Sequence, residues 1–311
     1  MKKSAHFLVA WLLLVSSAPG RDIFVDNIAG DDSFTGVQPR NMPDRTGPLR
    51  TIAKALRLAN SGDRIILTKN DEPYRESISL AGSRHSGYAQ IRFTVEGNGA
   101  TLDGSAPVPP EAWEHYRGAV FRFRPAGQAH QQMFLDDRPA IRVVGNPMAG
   151  APPELEKLEW CLHRGYIYFC VEPEKLPADY KLTYAQKTTG ITLYHVHDVS
   201  IVDLTVQGYQ LDGVNVFNSG RQVFLTGVTA RGNGRSGVTV GGASSVQMEV
   251  CTIGNNGCAQ LLTLPLSETR VRNSQLFPNT APARVDRGGR VYIDGKLLEG
   301  QLDQPLDEAD N

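Results

Sequence analysis

Two short runs decide the fold: "GVNV" at residues 213–216 and "GVTV" at residues 237–240. They share a glycine and two valines, hold one small polar residue between the valines, and lie 24 positions apart. The register extends both ways. Gly190 opens "GITL" 23 residues before Gly213, and Gln260 opens "QLLT" 23 residues after Gly237. A second ladder follows each anchor: Val199, Val223, Val246 and Thr269, then Ile201, Leu225, Met248 and Val271. A third comprises Leu204, Val228, Cys251 and Ser274, then Val206, Ala230, Ile253 and Leu276. The polar exceptions, Thr269 and Ser274, both fall in the last repeat, as expected where stacking ends.

Thr205, Thr229 and Thr252 alternate with the apolar positions. Period-2 alternation of β-branched residues means short strands with one buried face. "RGNGRSG" at 231–237 and "GNNG" at 254–257 supply tight turns between them. A helix-free unit of this length is one coil of a parallel β-helix. A leucine-rich repeat needs a leucine and asparagine signature that is missing. A sandwich would not hold like residues in register at constant spacing. Coils stack at about 4.8 Å, so equivalent residues lie directly over one another.

Other segments bracket the coils. Residues 1–20 read as a signal peptide: Lys2 and Lys3, an apolar run from Phe7 to Val15, then Ser16, Ser17, Ala18 and Gly20. The run is too short to span a bilayer, so the expectation is a secreted, periplasmic or cell-surface protein with no transmembrane segment. Residues 21–105 read as an N-terminal cap and first coils. Within them "PLRTIAKALRLANSGD" (48–63) has helical spacing at Ile52, Ala55, Leu56 and Ala59, with Gly62 placed to end the helix. A helix there would plug the open end of the core. Residues 106–186 break the repeat and read as an inserted antiparallel β-subdomain. Residues 187–280 carry the remaining coils. Residues 281–311 read as a hairpin with Asp294-Gly295 at its turn, then an acidic, apolar-poor tail.

The 311 residues carry a formal net charge of -1, with no long basic run, which argues against a nucleic-acid partner. The four cysteines, Cys161, Cys170, Cys251 and Cys258, are too few for a disulfide scaffold. The hairpin "LHRGYIYF" between Cys161 and Cys170 allows a bridge there. No CxxC pair suggests zinc.

"IFVDNIAGDDSFTG", "GPLRTIAKALRLANSGDRIIL" and "EPYRESISL", taken with the later coils, resemble secreted bacterial proteins of the pectate-lyase-like, right-handed parallel β-helix superfamily. The resemblance implies an all-β, single-stranded right-handed parallel β-helix, and a monomer that binds or cleaves polysaccharide, acidic sugars among the candidates. It covers lyases, glycosidases and members without established activity, so lyase, hydrolase and non-catalytic glycan binder all stay open.

The outward ladder of the marked strand is Thr192, Asn215, Thr239 and Leu262, none of them ionisable. Asn215 reads as a stacked surface amide on the substrate-facing side. The turn before the strand holds Asp212, with Arg235 one coil on and Cys258 one coil further. "YQLDGVNV" is similar to a polygalacturonase region with an aspartate ahead of a glycine, but the paired aspartates and histidine of that pattern are replaced by "GNGRSG" and "GNNG". Two carboxyl groups are needed for glycoside hydrolysis, and Asp212 alone is offered. A lyase needs a basic residue as proton acceptor and cations against the uronate carboxylate. Asp212, Arg235 and His195 are therefore the candidate catalytic residues, and Lys187, His197, Asn215 and Tyr209 the candidate substrate contacts. His195 and His197 in "HVHD" could share a face, but a third zinc ligand is lacking. No cofactor is expected. Calcium would need stacked acids that the late coils do not provide.

Overall fold

The computed structural model describes residues 20–127, 130–146 and 148–298. The signal-peptide reading of 1–20 and the acidic tail lie almost wholly outside the described residues.

The valine repeats build one sheet of six parallel strands. Their order is Arg284–Asp286, Ala259–Thr263, Ser236–Val240, Asp212–Phe217, Ile191–Tyr194 and Ile78–Ala81. Val214 pairs with Ile191 on one side and Val238 on the other, and Val238 pairs with Leu261. A second sheet runs in parallel from Asp22–Val25 through Arg64–Leu67, Phe93–Asp103, His197–Gln207, Arg221–Thr226, Ser245–Glu249 and Glu268–Arg272 to Arg290–Ile293. The ends of the two longest strands continue as a third face formed by Thr229–Arg231, Thr252–Gly254 and Gln275–Leu276.

The corner between the second and third faces repeats with the coil. Asp203, Gly227, Val250 and Asn273 each take a left-handed backbone there, with φ of 46°, 65°, 55° and 47°. A bend of fixed shape recurs once per turn, whichever residue fills it. Val250 adopts it against the usual steric bias of a β-branched side chain.

Inside the coils the ladders meet. Val199, Val223 and Val246 pack in line, as do Ile201, Leu225 and Met248, and all belong to one continuous buried cluster. Thr269 continues the first ladder and is fully buried, with a hydroxyl that has no hydrogen-bond partner. The turns carry their own stack. Asn233 and Asn256 are both fully buried. Asn256 Oδ1 accepts from Asn233 N–H and Nδ2 at 3.0 Å each, and Gln260 Oε1 accepts from Asn256 Nδ2 at 2.8 Å. The asparagines of "RGNG" and "GNNG" thus form an interior amide ladder.

The helix spans Ile52–Leu58 and ends at Ala59, three residues before Gly62. Thr51 caps its start by accepting from Lys54 N–H, and the Glu76 carboxylate accepts from Ile52 and Ala53 N–H at 2.9 Å. Its buried face, Ile52, Ala55 and Leu56, joins the coil core.

Between the coils the chain forms two mainly antiparallel sheets, with one parallel pair between Ile141–Arg142 and Glu159–His163, around a separate buried cluster that includes Phe123, Trp160, Phe169 and Tyr184. Glu159–His163 pairs with Tyr166–Cys170 so that Cys161 faces Tyr168. Cys170 is therefore two positions out of register with Cys161. Such diagonal neighbours lie about 7–8 Å apart, too far for a disulfide, and none of the four cysteines is disulfide-bonded. The bridge that the hairpin allowed is not made. Near the end, Asp294 (φ 47°) and Gly295 (φ 83°) turn Arg290–Ile293 back into Lys296–Leu297.

Candidate functional site

The site sits where the strands of the six-stranded sheet begin. Asp212 ends a turn and starts its strand, in register with Ser236. Its side chain is fully buried and accepts five hydrogen bonds. Oδ1 takes Arg235 Nε at 3.0 Å, Ser236 Oγ at 2.8 Å and Thr239 Oγ1 at 2.9 Å. Oδ2 takes Arg235 Nη2 and Asn215 Nδ2, both at 2.7 Å. The two-point pairing with arginine is the strong, orienting kind. Asn215 is therefore no bland amide. It and Thr239, the polar residues between the paired valines, both donate to the same carboxylate.

A histidine does reach this place, but it comes from the inserted segment. Ala126 and His130 lie against successive coil turns. Gln210 Nε2 donates to the Ala126 carbonyl at 3.3 Å. A Cβ on Gly234 would sit 2.3 Å from the Gln210 carbonyl oxygen and 2.8 Å from that of His130. Glycine is required there because two other backbones press against it. His130 Nδ1 stands 3.5 Å from the Cys258 sulfur. His130, Arg235, Cys258, Leu262, Leu264 and Arg287 help to line a cavity of about 110 Å³. Its remaining lining residues are Ala259 and Val285, so no carboxylate borders it among the described residues.

Arg142 lies within electrostatic reach of the Cys258 sulfur. Loss of hydration holds its guanidinium below the usual arginine range, and its Nε has no hydrogen-bond partner. Its guanidinium carbon lies 5.1 Å from the Trp160 ring centroid. It opens on a neighbouring cleft of about 390 Å³ bordered by Pro139, Ile141, Val144 and Thr280.

The other sequence candidates fall elsewhere. His195 lies past the far end of its strand. Tyr194 pairs with Phe217, which sets His195 level with Asn218, six residues beyond Asp212. At about 3.3 Å per residue that is roughly 20 Å along the strands. His197 pairs with its neighbour Asp198 at 3.1 Å, exposed and near His195. Neither histidine converges with Asp212. Tyr209 is fully buried and its hydroxyl donates to the Glu76 carbonyl, so its ring cannot stack on a ligand. Burial raises its phenol well above the usual value. Lys187 stands on the same turn stack, one coil before Asp212, half-buried; its charge bears on Glu76.

One acid shares Asp212's register level. Glu76 lies two strands away, about 10 Å by strand spacing. Burial raises its carboxyl, and both its oxygens serve the helix start. The pair offers no proton donor facing a nucleophile. Among the described residues no cluster of three His, Cys, Asp or Glu side chains could hold a metal ion, and no helix is long and apolar enough to cross a membrane.

Residues 189–294 match the family described as "Right handed beta helix region". Together with the parallel registers, this makes residues 189–294 a right-handed parallel β-helix. No curated protein matches it. Solved structures resemble it at low identity. XylC in complex with xylose is 12% identical with a TM-score of 0.42, covering 88% of this chain and 69% of that one. Pectate lyase Pel9A is 12% identical with a TM-score of 0.44, covering 89% and 62%. A rhamnogalacturonan lyase is 10% identical with a TM-score of 0.38, covering 88% and 62%. The chain thus spans less than two thirds of the length of these two lyases.

Proposed function

We propose that this is an exported, monomeric protein that binds an acidic polysaccharide along the strand-start edge and cleaves it by β-elimination. The observation that carries the reading is the cavity that His130, Arg235 and Arg287 line together. Cations so placed neutralise a uronate carboxylate and acidify the adjacent carbon–hydrogen bond. His130 accepts that proton, and the glycosidic oxygen leaves from the neighbouring carbon. Asp212 touches no reacting atom in this scheme. It is a positioning residue that holds Arg235 through two of its five accepted bonds, the other three coming from Asn215, Ser236 and Thr239. Lys187 extends the basic edge by one coil. The helix Ile52–Leu58 closes the first coil against edge pairing, and residues 106–186 act as a subdomain that delivers His130.

Hydrolysis finds less support, because it needs two carboxyl groups facing one bond. A non-catalytic glycan binder is the second reading, favoured by the complete saturation of Asp212. A polysaccharide panel separates the three. Absorbance from unsaturated uronates is expected on an acidic polymer and is abolished by His130→Ala. New reducing ends without that absorbance would indicate hydrolysis instead. Binding with neither product would leave the non-catalytic reading.

A further inference from the structure

A cation withdrawn from water needs an anion. Arg142 has no carboxylate partner among the described residues, and its orphaned Nε sits beside Trp160. The charges that bear on it are the thiols of Cys258 and Cys161, Cys258 first. Cys161 cannot serve, since burial pushes its thiol up to about 11. Cys258 differs from the other cysteines in every respect that matters. Cys161, Cys170 and Cys251 are buried, whereas Cys258 is partly exposed at a cavity with an imidazole 3.5 Å away.

We infer that Cys258 stands as a thiolate, ion-paired with Arg142 and hydrogen-bonded by His130, and is the chain's reactive nucleophile toward small soft electrophiles such as disulfides. The charged and titratable groups around it come from each packed element. His130 comes from the inserted segment, Arg142 from the strand Ile141–Arg142, Arg235 from the preceding coil turn and Arg287 from the following coil. Asp212 is the nearby acid, and it is engaged by Arg235. Cationic surroundings of this kind hold a thiol ionised. The sulfur also sets the imidazole tautomer: Nδ1–H donates to the thiolate, which leaves Nε2 as the proton acceptor. In exchange, the Cys258 sulfur attacks one sulfur of a small disulfide. The S–S bond breaks, a mixed disulfide forms, and the other half departs as a thiolate.

The inference stands apart from the polysaccharide reading, and its test uses no substrate. The folded, full-length protein is alkylated with iodoacetamide across pH 5.5–9.5 and the modified peptides are counted by mass spectrometry. An unperturbed thiol is under roughly 1% ionised at pH 6. Cys258 is expected to react about tenfold faster there than such a thiol, even after the lower intrinsic nucleophilicity of a stabilised thiolate. The rate stays nearly flat from pH 6 to 8, and Cys161, Cys170 and Cys251 stay unlabelled. Arg142→Met and His130→Gln each lower the pH 6 rate about tenfold and leave the pH 9.5 rate nearly unchanged. A wild-type rate that climbs about tenfold per pH unit up to pH 8 overturns the inference. Where a variant fails to fold, that wild-type profile decides alone.

Discussion

The two edges of the six-stranded sheet are built from the same repeat yet treat their polar and aromatic residues in opposite ways. At the edge where strands begin, Asp212, Asn215, Ser236 and Thr239 satisfy one another inside the protein, under cover of the segment carrying His130. At the edge where they end, Tyr194 and Phe217 pair in register and remain exposed, and the His195 ring packs on the Tyr194 ring at a centroid distance of 4.3 Å. The coil itself is indifferent to which edge carries chemistry. The difference follows from where the chain around His130 lies: Ala126 and His130 press on the turns at one edge, while Tyr194 and Phe217 stay exposed at the other. A solenoid makes repeated surface, and an insertion makes one part of it a pocket.

The strongest way to break this contrast is to remove the carboxylate at the covered edge. Asp212→Ala strips four donor residues of this acceptor, among them the half-buried Arg235 guanidinium. Breaking such a pair from one side costs about 3–5 kcal/mol. Denaturant unfolding is expected to show that loss, together with lost polysaccharide binding. A loss under about 1 kcal/mol would mean that the cluster is as loose as a surface ion pair.

Arg287→Ala tests whether the covered edge binds through charge. Arg287 lines the cavity beside Arg235 and His130. The expected result is about tenfold weaker binding of an acidic polymer, equal to about 1.4 kcal/mol, with an unchanged unfolding midpoint. Titration at two salt concentrations checks the electrostatic origin, since the variant should lose part of the salt dependence. Equal loss for neutral and acidic polymers would remove the charge argument.

How much of this was legible follows from which contacts are local to the repeat. The register alone put Asp212, Arg235 and Cys258 on successive turns, because stacking converts sequence spacing into contact. It also gave Thr269 its place in the Val199–Val223–Val246 ladder. His130 had no such signal. It stands in "GQAHQQ", outside any repeat, and its partners lie more than a hundred residues away. The candidates His195 and His197 shared the coil but not the edge, since a strand of even five residues separates its ends by about 16 Å. Tyr209 was misjudged because a ring beside a turn can point inward as readily as outward. The asparagine ladder hid for a related reason: Asn233 and Asn256 sit among turn glycines, and nothing local shows that their amides face the core.

Thr269 extends the comparison into the core, where it is the counterexample to Asp212. Its buried hydroxyl has no partner, in a ladder otherwise made of valine. Thr269→Val removes that orphan at nearly constant shape. It is expected to stabilise the protein by about 1 kcal/mol, read as a higher denaturant midpoint at constant m-value. Destabilisation would indicate an unrecognised partner.

The smallest effect belongs to the bare edge. Phe217→Ala and His195→Ala remove exposed side chains that sit outside the buried cluster. His195 keeps its coil-to-coil bond in the variant, because the bond to Asn218 runs through its own backbone N–H, at 3.2 Å. Stability should change by no more than about 0.5 kcal/mol in either case. Polysaccharide cleavage should be unaffected, since this edge lies roughly 20 Å from His130's edge along the strands. A cleavage rate that falls with His195→Ala while unfolding stays constant would place the chemistry at the exposed edge and reverse the assignment of the two.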